Sequence, residues 1–228
     1  MKSISQQQSR GINTISSNQS ILEITEFLLA YPGMVIKPSS GSELIIHGIF
    51  KFSTKYDNFN RIIDSYRLII NVPSKYPREL PIIREIGSKI PRKAEYHVNP
   101  DGSLCLGSRL RLLWMISKKP SLSAFARLCL EPYLYAISYK LKYGILPFSE
   151  LEHGLPGELK DIADLLGLKS TEQAKYALHL LGMKKRLANK KPCPCGCGVR
   201  LGKCRFNEKI REFRGLGARS WFRSLISD

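Results

Sequence analysis

The apolar positions change their period several times along the chain. From Ser20, Ile21, Leu22, Ile24, Phe27 and Leu28 recur at helical spacing, with Ser20 as a cap and Pro32-Gly33 as a stop, which predicts an opening helix. β-Branched and aromatic residues then dominate. Residues 44–52 and 66–72 predict two strands, and the turn residues at 55–60 predict that they form an antiparallel hairpin. Residues 81–86 predict a shorter third strand. From Gly87 to about Lys119 no period holds, and so long an irregular stretch inside a compact domain is usually functional. Helical spacing returns at Leu122, Phe125, Cys129 and Leu130, after which Pro132 either breaks the helix or starts the next one, carrying Leu134, Ile137 and Leu141. Residues 158–166, with Gly167 behind them, and 171–181, with Ser170 as cap and Gln173 three positions on, predict two more helices. A last amphipathic stretch runs from 208 to 226. Strands grouped before helices predict an α+β fold and not a doubly wound one. The expected organisation is a flexible polar tail at 1–19, a domain at 20–145, a helical connector at 146–183 and a basic cysteine-bearing tail at 184–228.

Composition narrows the class. With 43% hydrophobic and 24% charged residues the 228-residue chain is neither disordered nor collagenous in type. Its start has no apolar targeting core, and no run approaches the roughly 18 apolar residues of a membrane span. The expectation is a cytoplasmic protein with no membrane partner. The net charge of +17 predicts an acidic partner, either nucleic acid or an acidic protein surface. Residues 183–228 hold 13 Lys/Arg against 3 Asp/Glu, so that partner is expected at the C-terminal tail. Trp221, Phe222 and Phe213 alternate there with arginines, able to stack on bases or to pack at helical spacing.

Four of the six cysteines, Cys193, Cys195, Cys197 and Cys204, lie within twelve positions, while Cys105 and Cys129 stand alone. This is not the spread of a secreted disulfide framework, so metal-binding or catalytic thiols in a reducing compartment are expected. Cys129 falls on an apolar helix face and reads as core.

Around Cys105 the irregular segment contains Tyr96-His97-Val98-Asn99-Pro100-Asp101-Gly102-Ser103-Leu104-Cys105-Leu106, with Trp114 nine positions beyond the cysteine. Together with Tyr76, Pro77 and Pro81 after the strands, this set resembles the core of ubiquitin-conjugating enzymes over about residues 20–145. Those motifs are a Tyr-Pro-x-x-x-Pro step, a His-x-Asn, a Gly-x-Leu-Cys-Leu and a tryptophan before a helix. The sequence departs from the pattern where Asn99 lies only six positions before Cys105 and where Met115-Ile116 replaces the usual Ser-Pro after the tryptophan; the compressed form resembles bacterial members, several of which sit in antiphage defence operons. The resemblance implies a ubiquitin-conjugating-like fold with Cys105 as catalytic thiol. It would take the C-terminus of a ubiquitin-like modifier or substrate protein as a thioester from an activating enzyme and pass it to an amine. Asn99 is the candidate oxyanion donor, and His97 either orients the loop or acts as local base or donor. Trp114 reads as packing. Arg109 and Arg111 read as solvated residues or as contacts for an acidic partner. Two other readings are a non-catalytic binding module and a stand-alone thiol hydrolase.

The segment 192–206 places closely spaced cysteines on Gly/Pro-rich turns, with one more returning after a basic excursion, which suits a tetrahedral zinc site. It resembles the SEC-C motif, a small zinc knuckle appended to many bacterial proteins. Cys193, Cys195 and Cys204 match the first three ligands, whereas Arg205 stands where the fourth is expected. Either the extra Cys197 serves as fourth ligand, or His179, His153 or water completes the site. Redox-active thiols are the competing reading. The expected cofactor is structural Zn2+, because a short tail with few apolar residues needs metal to fold.

Overall fold

A computed structural model describes residues 17–38, 43–56, 58–148 and 154–226. Helix α1 (Ser17–Ala30) leads into a four-stranded antiparallel sheet, β1 (Met34–Lys37), β2 (Leu44–Thr54), β3 (Ile62–Val72) and β4 (Ile82–Glu85), in that spatial order. The expected hairpin is β2–β3, eleven residues long on each strand, with Leu44 opposite Val72 and Thr54 opposite Ile62. The strand β1 was not legible as one. It forms because Gly33 and Gly48 let two backbones meet: a Cβ at Gly33 would lie 2.4 Å from the Ile49 carbonyl oxygen. The opening helix begins at Ser17, three residues before its expected cap. The rest of the expected 1–19 tail lies outside the described residues.

The stretch expected to be irregular at 87–119 is not so. It holds a 3₁₀ turn (Ala94–Tyr96), a small hairpin at 97–105 and helix α2 (Arg109–Ile116), which Ser108 caps by accepting from the Arg111 N–H at 3.3 Å. No amphipathic period betrays α2 because it is buried on several sides, through Leu110, Leu112, Leu113 and Ile116. At Pro132 the chain neither stops nor restarts. Helix α3 (Leu122–Phe125), a π turn (Ala126–Leu130) and α4 (Glu131–Tyr143) run on as one rod. The Glu131 N–H reaches back to the Ala126 carbonyl across the π turn, a widening that accommodates the proline, whose nitrogen has no hydrogen to donate. Helices α5 (Gly154–Leu166) and α6 (Thr171–Gly182) lie where expected, and Ser170 caps α6. The last amphipathic stretch forms two helices, α8 (Phe206–Arg214) and α9 (Arg219–Ser224), after a short α7 (Lys185–Ala188). They part at 215–218, where the Trp221 ring lies within 2.1 Å of a Cβ built at Gly217.

Two apolar clusters result. One joins the sheet to α1 and the α3–α4 rod, around Phe27, Phe50, Tyr66, Leu68, Ile70 and Leu134. The other gathers Ile162, Leu166, Leu178 and Leu181 with Cys193, Leu201, Ile210, Phe213 and Phe222. Residues 154–182 and 185–226 thus share a single core, and the boundary expected at 183–184 falls inside it. The α6 carbonyl end is capped from this second cluster: the Arg214 guanidinium donates to the Leu180, Leu181 and Met183 carbonyls at 2.8–3.0 Å. Helix α2 belongs to both clusters, with Leu112 and Ile116 in the first and Leu110 in the second. No helix among the described residues is long and apolar enough to cross a membrane.

Candidate functional site

The first candidate site is the hairpin that carries Cys105. Pro100 and Asp101 form its turn, the Gly102 N–H donates to the Asn99 carbonyl at 2.8 Å, and Gly102 itself takes φ +79°. Asp101 holds the turn from within, accepting from the Ser103 N–H at 3.0 Å and the Ser103 hydroxyl at 2.6 Å. Arg84, from β4, ties the turn to the sheet with a 2.8 Å bond to the Asp101 carboxylate. The return arm continues the sheet beyond β4, with Ser103 bridged to Arg84 and the Leu104 N–H donating to the Ile83 carbonyl at 2.8 Å. A lone cysteine on a coil would wander; this one stands on a strand-like arm fastened to a sheet edge.

Register decides which residues attend the thiol. The bridge is Val98 to Leu104, flanked by Asn99 N–H to Ser103 carbonyl and Cys105 N–H to His97 carbonyl, each 2.8 Å. His97 is therefore the backbone partner of Cys105 across the hairpin. Asn99 stands opposite Ser103 instead, exposed, and its carboxamide donates to the Ser103 hydroxyl at 3.0 Å. The backbone thus pairs His97 with Cys105 and Asn99 with Ser103. Cys105 is half-buried and unpaired, and His97 adopts φ +52°, a left-handed conformation uncommon for a residue with a Cβ.

Two further groups support this loop and were not singled out from the sequence. Tyr133 on α4 is buried, and its hydroxyl donates to the Tyr96 carbonyl at 2.8 Å, directly beneath His97. Burial raises its pKa far above the ordinary tyrosine range, with added repulsion from Tyr66 and Cys105. Asp161 on α5 is 1% exposed and receives both the Ser108 hydroxyl and the Arg111 Nε, the latter at 2.6 Å. Ser108 is three residues beyond Cys105, so this buried carboxylate anchors the exit of the loop to the second core. No periodicity or motif marks Asp161. Only the cap position of Ser108 could have been read, had α2 been recognised. Arg111 is accordingly neither solvated nor free for a partner, and Arg109 lies over the Trp221 ring at 5.3 Å. Trp114 packs, as expected, but against the second core: it stacks on Phe213 and donates to Glu212 at 3.1 Å.

The second candidate site is the cysteine cluster. The Sγ atoms of Cys193, Cys195, Cys197 and Cys204 all lie within 4.8 Å of one another. Pro192 is bridged to Arg200, and the Cys193 N–H donates to the Val199 carbonyl at 2.9 Å, closing a tight finger. Gly196 and Gly198, both at φ +78°, turn that finger so that sulfurs two residues apart face inward. Cys204 arrives through a 3₁₀ turn (Leu201–Lys203), and the Phe206 N–H at the start of α8 donates to its sulfur at 3.4 Å.

The donor set fits a metal ion. Sulfurs 2.3 Å from a tetrahedral ion stand about 3.8 Å apart, and here Cys195 lies 3.7 Å and Cys197 3.6 Å from Cys204, with Cys193 3.2 Å from Cys195. All four are free thiols, not disulfides. Burial pushes the Cys193 thiol up, whereas the Val199 backbone N–H and neighbouring thiols lower Cys197 to about 7. A cation binding here would hold all four as thiolates. Cys197 thus supplies the fourth donor that Arg205 cannot. His179 is exposed and stands beside Tyr176 outside the cluster, and His153 lies outside the described residues. Cys129 is core, as expected, its thiol pushed up to about 12 by burial. In comparison with known proteins, no family model matches the chain, and neither does a curated protein or a solved structure.

Proposed function

We propose that the chain is a ubiquitin-conjugating-like enzyme of a bacterial protein-conjugation pathway, with Cys105 as its acyl carrier and a structural zinc ion in its cysteine knuckle. The observation that carries the reading is the Cys105 hairpin: a half-exposed thiol on a sheet-edge arm, with His97 as its cross-strand partner. The order of elements supports it as well, with one helix, a four-strand meander, the cysteine loop and then helices.

The chemistry asks little of the protein. The Cys105 thiolate attacks the carbonyl carbon of a modifier C-terminus already held as a thioester on its activating enzyme. The activating enzyme's thiolate leaves, and the acyl group is now on Cys105. An amine then attacks the new thioester, the Cys105 thiolate departs, and the amine's surplus proton passes to water or to His97. Asn99 is the side-chain candidate for an oxyanion donor, since its exposed carboxamide has a second N–H besides the one given to the Ser103 hydroxyl. The hairpin's contribution is position: fastened to the sheet edge by Arg84 and Ile83, it fixes the thiol while a large acyl group is attached.

The test uses an activating enzyme shown to form its own thioester with the modifier. With ATP, wild type should gain the modifier's mass less one water, and reductant should remove it. Cys105→Ala should gain nothing, and Cys105→Ser should give an ester that resists reductant. No adduct on wild type with that partner set overturns the reading. For the metal, the expected result is one zinc per chain by elemental analysis, lost in Cys195→Ser.

A further inference from the structure

The cysteine knuckle is wrapped in positive charge. Between Met183 and Asn207 stand Lys184, Lys185, Arg186, Lys190, Lys191, Arg200, Lys203 and Arg205, with no carboxylate among them. All eight are exposed, and none of the eight takes part in an ion pair among the described residues. Surface lysines elsewhere do pair, as Lys75 does with Glu79 and Lys119 with Glu26. The backbone draws several of these cations together. Pro192 is bridged to Arg200, the Leu201 N–H donates to the Lys191 carbonyl at 2.8 Å, and the Gly202 N–H donates to the Asn189 carbonyl at 3.0 Å. This places Lys190 and Lys191 alongside Arg200 and Lys203, while α7 brings Lys185 and Arg186 directly before them. Gly202 makes the pairing feasible, because a Cβ there would lie 2.9 Å from the Asn189 carbonyl oxygen.

We propose that this face docks the phosphate backbone of a duplex nucleic acid without reading its bases. Five of the eight cations are lysines. Lysine is depleted in protein–protein interfaces, which are anchored by aromatic residues, and is well suited to phosphate as a mobile point charge. Residues 184–205 contain no aromatic side chain. The aromatic residues that could have served as stacking platforms are used elsewhere: Phe213 and Phe222 are fully buried, and the Trp221 ring is covered by Arg109. Without platforms, single strands gain no stacking there, whereas a duplex offers regularly spaced phosphates to a rigid cationic surface. The proposal goes beyond the conjugating role and does not depend on Cys105.

The test is fluorescence anisotropy of the zinc-loaded full chain with a 24-bp duplex of arbitrary sequence, as DNA and as RNA. The expected result is binding that is indifferent to sequence and weakens steeply with salt. Lys190→Glu with Lys191→Glu should weaken it at least tenfold. The corresponding double Gln variant should lower the log–log salt slope by about 1.8, since each phosphate contact contributes roughly 0.9. Lys37→Gln with Lys51→Gln, exposed cations on the sheet, should change nothing, and Cys105→Ala should bind as wild type. Zinc content and circular dichroism verify that the variants are folded. Absence of duplex binding, equal affinity for a polyglutamate of matched charge or for anionic vesicles, or tighter binding of single strands would each overturn the proposal.

Discussion

Both cysteine sites are built on glycine turns, but by opposite means. The Cys105 hairpin is closed by backbone pairing and by Asp101, Asn99 and Ser103, so its geometry does not involve the sulfur at all. The knuckle at 192–204 is also backbone-paired, but its four sulfurs crowd to within 4.8 Å and become the centre of the structure. A thiol left out of its own scaffold is available to a reactant. Thiols that make the scaffold are consumed by it. The same residue type is thus held in two different ways, and the surrounding bonds, not the cysteine, carry the distinction.

The sharpest way to break this contrast is to remove one sulfur from each site. Cys195→Ser is expected to lose the metal and, with it, stability of the whole chain, read as weaker hydrogen-exchange protection in both cores. Structural zinc contributes on the order of 10 kcal/mol to folding in small knuckles. Cys105→Ser should change stability by less than about 1 kcal/mol. Equal effects on thermal melting would erase the distinction.

A smaller effect is expected where the two sites are tied. Asp161→Ala leaves Arg111 and Ser108 without their buried acceptor and should cost about 3 kcal/mol in denaturant melts. Because it frees the exit of the loop, iodoacetamide should then alkylate Cys105 faster, while Cys129 stays unreactive until unfolding. Tyr133→Phe removes a buried donor from beneath His97. It should cost about 1 kcal/mol and raise exchange at 94–97, with the knuckle unchanged.

The mildest test is pH. Burial pushes the Asp64 carboxyl up, but Lys89, Ser138 and the Ser65 N–H outweigh it and hold its pKa below the ordinary aspartate value. A depressed folded pKa stabilises the protein above the unfolded value, and that stability is lost as pH falls through the folded one. Wild type should thus lose sheet-domain stability below about pH 4, and Asp64→Asn should flatten that dependence.

The strands β2–β4, helices α4 to α6 and the cysteine knuckle were legible because each leaves a local signature: β-branched runs, caps, or cysteines at ligand spacing. What escaped detection depends on contacts distant in sequence. Strand β1 exists because Gly33 meets Ile49, and α2 shows no period because it is apolar toward two cores. The amphipathic stretch at 208–226 carries no mark of its break, which falls where Trp221 folds onto Gly217. At the candidate site, Cys105 and His97 were visible in the sequence. That His97 pairs with Cys105 and Asn99 with Ser103 follows from a register that only pairing reveals, and Asp161 and Tyr133 have no local mark.

Helix α2 carries one more consequence. Its Leu112 and Ile116 are buried with the sheet, its Leu110 is buried with the knuckle helices, and Trp114 lies flat on Phe213. Neither half can melt without stripping a face of this eight-residue helix. The chain should therefore unfold in one cooperative transition, and a version ending after Tyr143 would leave Leu110 and Trp114 bare, prone to self-association. Loss of the knuckle's order would then register as a change in folding cooperativity for the whole molecule, reaching the Cys105 hairpin through a helix that contains no cysteine.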